Sequence, residues 1–299
     1  MLVIRLSLPQ RKGGVGKTTL VRILAEWFSR NHRVLIVDFD DQCSLSSLYL
    51  PMNRVSSGRH KRPPRNPDFN PADAAFSDWN GRSSSADIFY PDRVIYQYAL
   101  EELPNGRLDL LPADSRELLS VREARDIKVR ESIEGTIAKF FSDEMLSDEY
   151  DMVIFDTGPS ESPLMRGVIK ASTHTLIPVE LEQQCVDGLD AVIGMVVEEQ
   201  RERASDNPLE LLGLQVNKYQ KARSLHNGLL KQLKDSKGLA PHLNQTLIPN
   251  RTAYAERDVR GLLPRSVFAL RPSDPARKII EPWCIALEQR LFPENDNAA

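Results

Sequence analysis

Residues 12–19 read Lys-Gly-Gly-Val-Gly-Lys-Thr-Thr. Three glycines, Gly13, Gly14 and Gly16, allow a backbone to fold so tightly that its N–H groups converge on one anion. The loop follows the apolar run 2–8 and leads into residues 17–30, where Leu20, Ile23, Leu24, Trp27 and Phe28 fall on one helical stripe. Strand, glycine loop and helix is the setting in which such a loop holds phosphate, and the helix N-terminus adds its positive dipole. The backbone of Gly13, Gly14, Val15 and Gly16 forms the cradle. Lys17 is placed for β- and γ-phosphates, the Thr18 hydroxyl for Mg²⁺ and Thr19 for an α-phosphate. One lysine suffices for that task. The loop has a second, Lys12, which needs its own explanation.

Two further apolar runs end in acid. Residues 34–42 place Asp38, Asp40 and Asp41 at a strand end, and residues 151–157 do the same with Asp156. In open α/β sheets ligands gather at the carboxyl ends of strands. An aspartate there is the usual holder of a magnesium shell. Asp156 is assigned to Mg²⁺ through water, and Asp40 to orienting the attacking water. Asp38 is assigned to the Mg²⁺ shell or to Lys17. Asp41 reads as a turn former.

These residues need a scaffold. Continuously apolar runs at 2–8, 33–39, 108–113, 151–157, 174–181, 211–217 and 245–249 suit strands covered on both faces. Segments 17–30, 115–142, 184–203, 223–237 and 275–291 have helical spacing. The alternation predicts an α/β protein of the P-loop NTPase type, three-layered, with a mainly parallel twisted sheet flanked by helices. One domain is expected over 1–299. Residues 51–87, rich in Pro, Ser and Arg and without periodicity, read as a flexible insertion, and residues from about 293 as a disordered tail. Cys43, Cys185 and Cys284 are far apart and form no CxxC pair. That argues against a metal cluster and for a reducing cytoplasm. No apolar run approaches the roughly 20 residues of a membrane helix.

The net charge of −3 hides a segregation. Residues 53–66, 217–237 and 251–278 hold 18 of the 39 Lys and Arg but 4 of the 42 Asp and Glu, leaving 21 bases against 38 acids elsewhere. Such a pattern suits a polyanion, although solvated basic helix faces would produce it too.

Taken in order, the segments 12–19, 34–46, 150–160, 176–192, 213–219 and 246–261 resemble the ParA/MinD family of deviant Walker-A ATPases, over nearly the whole chain apart from the insertion. The resemblance implies ATP and Mg²⁺ as ligands. It also explains Lys12, the signature lysine, which reaches the nucleotide of a second subunit, so that ATP closes a sandwich homodimer and hydrolysis releases it. Lys12, Lys17 and Asp40 are then the catalytic set. Asn217 matches the adenine-reading asparagine, and Pro249 the segment beside the base. Arg223 lies close to where family members use basic residues for sequence-independent DNA binding, and the basic segments 217–237 and 251–278 add Lys218, Lys221, Lys231, Lys234, Arg257 and Arg260 as DNA-facing candidates. Three departures mark a divergent branch. Pro-Gln-Arg precedes Lys12, Asp41 stands where proline is usual, and Asp-Thr-Gly-Pro replaces Asp-Thr-Pro-Pro.

Within the family, the chain begins at its first strand without a helix-turn-helix extension. The resemblance therefore implies the type that binds DNA nonspecifically, in the nucleoid-associated cytoplasm, with a ParB-like centromere-binding partner stimulating hydrolysis. The alternative is a MinD-like membrane ATPase or one that positions a protein cargo. Residues 277–299 carry Ile279, Ile280, Trp283, Leu287 and Leu291, but also Pro282 and an acidic tail. They read as a core-packing helix, and no stable membrane association is expected.

Overall fold

The computed structural model describes residues 3–55, 58–72, 79–142, 144–256 and 266–293. In chain order the elements are β1 (Ile4–Ser7), α1 (Lys17–Phe28), β2 (Arg33–Phe39), α2 (Ser44–Tyr49), β3 (Asn53–Val55), β4 (His60–Arg62), β5 (Tyr98–Leu103), β6 (Gly106–Leu111), α3 (Ser115–Arg122), α4 (Ile127–Phe141), α5 (Glu144–Glu149), β7 (Met152–Thr157), α6 (Pro163–Ala171), β8 (His174–Glu180), α7 (Gln183–Asp187), α8 (Leu189–Glu202), β9 (Glu210–Asn217), α9 (Ser224–Asp235), α10 (Thr252–Glu256) and α11 (Arg277–Leu291).

Seven strands form one sheet in the order β5-β6-β2-β7-β1-β8-β9, parallel except for β5 on β6. The apolar runs are continuous because both faces are buried. Along β2, Val34 and Ile36 face a core with α1 and α11, while Leu35 and Val37 face a core with α4 and α6. Residues of β8 and β9 pack on α8 and α9 in a third cluster. In α11, Ile280, Trp283, Cys284, Leu287 and Leu291 are buried, and Trp283 Nε1 donates to Gln215 Oε1 of β9 at 2.7 Å. The apolar stripe of this last helix is thus spent on the core. Among the described residues no helix is long and apolar enough to cross a membrane.

Several local expectations need revision. Residues 245–249 do not form a strand. They run beside β9 with few bonds, such as Ile248 N–H to Val216 O at 3.0 Å, and Pro249 has no N–H to continue a ladder. The helical stretch 115–142 divides at 123–126, where Asp126 accepts from Lys128 N and Val129 N and starts α4 afresh. The stretch 184–203 divides at Gly188 between α7 and α8. Strand β5 was not anticipated. It returns on β6 through a two-residue turn, Pro104-Asn105. In 51–87 the described residues hold the β3–β4 ribbon and the start of a 3₁₀ turn, Ser85–Phe89, whose Ser85 hydroxyl donates to Asp38 O at 2.6 Å.

The β5–β6 turn docks closely on the end of α1. A Cβ on Gly106 would collide with the carbonyl oxygens of Ser29 and His32. Gly106→Ala is therefore expected to lower stability by about 1–3 kcal/mol, read as a lower urea midpoint with an unchanged slope.

Candidate functional site

The glycine loop joins β1 to α1. Gly14 and Gly16 have φ of 78° and 88°, the left-handed region that side chains rarely adopt. A Cβ on Gly16 would also strike Asn217 Nδ2. Sequence permissiveness and close approach thus coincide at one residue. Lys17 opens α1 and is only 7% exposed. Its ammonium donates to Gln10 O at 3.1 Å and Lys12 O at 3.3 Å, so it lies back across its own loop. Gln10 is itself fixed, Nε2 donating to Pro178 O of β8 at 2.9 Å. Burial lowers the Lys17 pKa, and the nearby Asp156 and Asp40 oppose that shift.

The acids converge from adjacent strands, with Asp38 and Asp156 directly paired in the β2–β7 register. Thr18 Oγ1 donates to Asp156 Oδ2 at 2.7 Å, while Asp156 Oδ1 is buried with no protein partner. Burial, then the charges of Asp38 and Asp40, pushes the Asp156 carboxyl well above its ordinary range. Burial also raises Asp40, and it raises Asp38 to about 7 with help from Asp40. An orphan carboxylate oxygen beside a threonine hydroxyl, in a cluster of repelling acids, fits a divalent cation. Among the described residues no three His, Cys, Asp or Glu converge as a metal ligand set. Mg²⁺ makes no such demand, because it is bound through one or two protein groups, waters and phosphates.

Asp38 is committed elsewhere than expected. Its Oδ2 accepts from Ser46 N at 2.9 Å and Ser46 Oγ at 2.7 Å, and its Oδ1 accepts from Asp40 N at 3.0 Å. It braces the turn that carries Asp40, and neither Lys17 nor Thr18 hydrogen-bonds to it. Asp40 Oδ1 accepts from Gln42 N at 3.0 Å and lies where a Cβ on Gly158 would be 3.2 Å away. The glycine of the unusual Asp-Thr-Gly-Pro segment thus leaves space beside Asp40. Asp41, read as a turn former, is ion-paired with Arg122 of α3 at 2.8 Å.

Lys12 does not join the acids around Lys17. Its ammonium is ion-paired with Glu182, in the turn between β8 and α7, and the pair raises its pKa. Asn217, at the end of β9, donates from Nδ2 to Val15 O at 2.8 Å. Asn217, Lys218, Gly16, Thr19, Leu20, and Pro249 with its neighbours line one pocket. The expected adenine-side residues are therefore together. Lys218 belongs with them rather than with an outer basic face, since its ammonium donates to Gly14 O and its backbone has φ of 54°. Lys221, Arg223, Lys231 and Lys234 are exposed on α9 or just before it. Arg257 and Arg260 lie outside the described residues. Gln10, Glu182, Ser46 and Arg122 were not anticipated from sequence. Ser46 and Glu182 lie inside segments that carry the resemblance and Gln10 in the Pro-Gln-Arg that departs from it, while Arg122 carried no signal.

The AAA domain family model matches residues 3–210. The chain belongs to that family and is a ParA/MinD-type P-loop ATPase. It is 29% identical to the chromosome-partitioning ATPase Soj of Thermus thermophilus, over 91% of this chain and 90% of that protein. A crystal structure of a plasmid partition protein from Borrelia burgdorferi superposes with a TM-score of 0.64 at 19% identity, covering 97% of this chain and all of that one. McdA of Cyanothece in complex with ATP gives 0.69 at 19% identity, covering 96% of each chain. At these identities the two structures establish the fold.

The acid cluster sets a pH dependence. Burial and mutual repulsion raise all three carboxyls above their unfolded values, so the folded state holds protons that the unfolded chain has released, and stability from this cluster falls as pH rises above about 4, for Asp38 through about 7. Asp156→Asn removes one of the repelling charges. It should raise the ligand-free melting temperature at pH 8 more than at pH 4.5, while lowering Mg²⁺-dependent nucleotide turnover about 10–100-fold. Thermal melts at both pH values and a phosphate-release assay check both parts.

Proposed function

We propose that this ParA-type ATPase is a partition motor. ATP closes a sandwich homodimer, the dimer binds DNA without sequence preference, and a ParB-like partner stimulates hydrolysis and releases it. We read the chain as one domain over 1–299 that works in the nucleoid-associated cytoplasm. The observation that carries the reading is the division of labour between two lysines of one loop. Lys17 lies inside its own cradle. Lys12 is held outside it by Glu182, on a partly exposed ion pair that another anion can replace.

Within one subunit, Gly13 to Gly16 present N–H groups to the phosphates and Lys17 swings from its backbone acceptors to them. Thr18 and Asp156 would hold Mg²⁺, which would neutralise phosphate charge. Asp40, braced by Asp38 and Ser46, positions the attacking water and accepts its proton. Lys12 of the facing subunit adds positive charge as the bond to the γ-phosphoryl breaks. Charge stabilisation then depends on assembly. Asn217 and Pro249 face the base, and only six residues separate Asn217 from α9. That short connection gives the nucleotide pocket a direct route to the exposed Lys221, Arg223, Lys231 and Lys234. A membrane role has less support, because Ile280, Trp283, Cys284, Leu287 and Leu291 of α11 are buried in the core and only Ile285 among its large apolar residues is exposed.

Fluorescence anisotropy with a nonspecific duplex tests the proposal. Binding should appear with ATP and not with ADP, fall steeply with salt as phosphate contacts require, and weaken at least about tenfold in Lys12→Ala. A chain that binds ATP but no DNA in any nucleotide state would overturn the reading.

A further inference from the structure

A cavity of about 190 Å³ opens between β4, residues 79–94 and the start of α3. None of its residues takes part in the ATP chemistry above. Arg62, Arg82 and Trp79 form one side. The Arg62 side chain makes no hydrogen bond or ion pair among the described residues, and its Nε is buried without a partner. Arg82 donates to the Pro63 carbonyl. Arg65 lies nearby, its guanidinium 5.7 Å from the Phe69 ring centroid. Burial first, then the charges of Arg62 and Arg65, lowers the Arg82 pKa. The carboxylates that share the cavity are engaged or at the rim. Arg93 pairs with Asp87 at 2.6 Å and Glu117 at 2.5 Å, Asp114 caps α3, and Asp92 is exposed.

Arg62 and Arg82 repel each other, and the carboxylates that share the cavity bond to Arg93 or to backbone rather than to either of them, so both guanidiniums keep donors for an incoming anion. Their planar forks match the oxygens of a phosphate group. We infer that Arg62 and Arg82 form a second anion site, separate from the glycine loop, that takes a phosphate group. The phosphate could be carried by a small molecule or by a nucleic-acid backbone. The ribbon around the site has the charge for either, since residues 53–66 contain five Lys and Arg and no acid. The site shares a frame with the hydrolytic machinery. Lys61, next to Arg62, donates to Gln42 O at 3.0 Å and Ser47 Oγ at 3.1 Å, directly after the Asp40 turn.

The test is thermal unfolding of the full chain in excess Mg-ADP, which fills the glycine loop, while inorganic phosphate replaces chloride at constant ionic strength. At ten times its dissociation constant, phosphate should raise the wild-type Tm by about 3 °C. Arg62→Gln should lose that rise, keep ADP affinity, and start from an equal or higher Tm, because it removes a repelling charge. Identical phosphate responses in wild type and Arg62→Gln, or no response in either, would overturn the site. A short fluorescent duplex in the presence of ATP then identifies the source. If Arg62→Gln weakens duplex binding and lowers the salt slope by about 1, the phosphate belongs to a nucleic-acid backbone. If duplex binding is unchanged while the phosphate response is lost, it belongs to a small molecule.

Discussion

The structure is organised around buried charge: one ammonium, Lys17, and three carboxylates, Asp38, Asp40 and Asp156, at the ends of neighbouring strands. Charges are expensive to remove from water, so their neighbours are arranged to hold them. Backbone carbonyls receive Lys17. Ser46 and the Asp40 amide receive Asp38. Thr18 receives one oxygen of Asp156. The strand order gives this arrangement its geometry. β1, which launches the glycine loop, lies between β7 and β8. Asp156 therefore approaches the loop from one side. The turn with Glu182 and the Pro178 carbonyl that holds Gln10 approach from the other.

Much of this was legible in sequence because chemistry demands specific residue types. A loop needing positive φ must use glycine, and the strands that carry Asp40 and Asp156 are buried on both faces and so read as unbroken apolar runs. Side chains whose job is to hold other side chains were not legible. Glu182 meets Lys12 across 170 residues of chain, and the Gln10 side chain, whose own carbonyl receives Lys17, is fixed by Pro178 across 168, so no local pattern pairs them. Asp38 illustrates the same limit. Its strand-end position predicts a role at the metal, yet Ser46, on the next helix, claims its carboxylate. Lys218 was grouped with basic residues by charge alone, and only the fold shows its ammonium on the glycine loop. Strand β5 was missed because its acidic sequence lacks alternation. The Pro-Asn-Gly turn before β6 was the available clue.

The two lysines acquire distinct roles from position rather than chemistry. Lys17 begins a helix and is drawn inward. Lys12 precedes the glycines, and its side chain meets an acid from another strand. On the proposed function, a cation held in reserve at the rim of the phosphate site would link charge stabilisation to the arrival of a second subunit. The path from Asn217 to α9 would extend that link to the exposed basic face. One ligand would then control both assembly and affinity for a polyanion.

The trans action of Lys12 is the central claim, and mixing two inactive chains tests it most directly. Lys12→Ala keeps its own Asp40 but cannot supply the lysine. Asp40→Ala supplies the lysine but cannot position water. If Lys12 acts across the dimer, their mixture forms heterodimers with one complete site, and ATP hydrolysis returns to a substantial fraction of the wild-type rate. Hydrolysis in the mixture no greater than the sum of the separate chains, with heterodimers shown to form, would contradict the account.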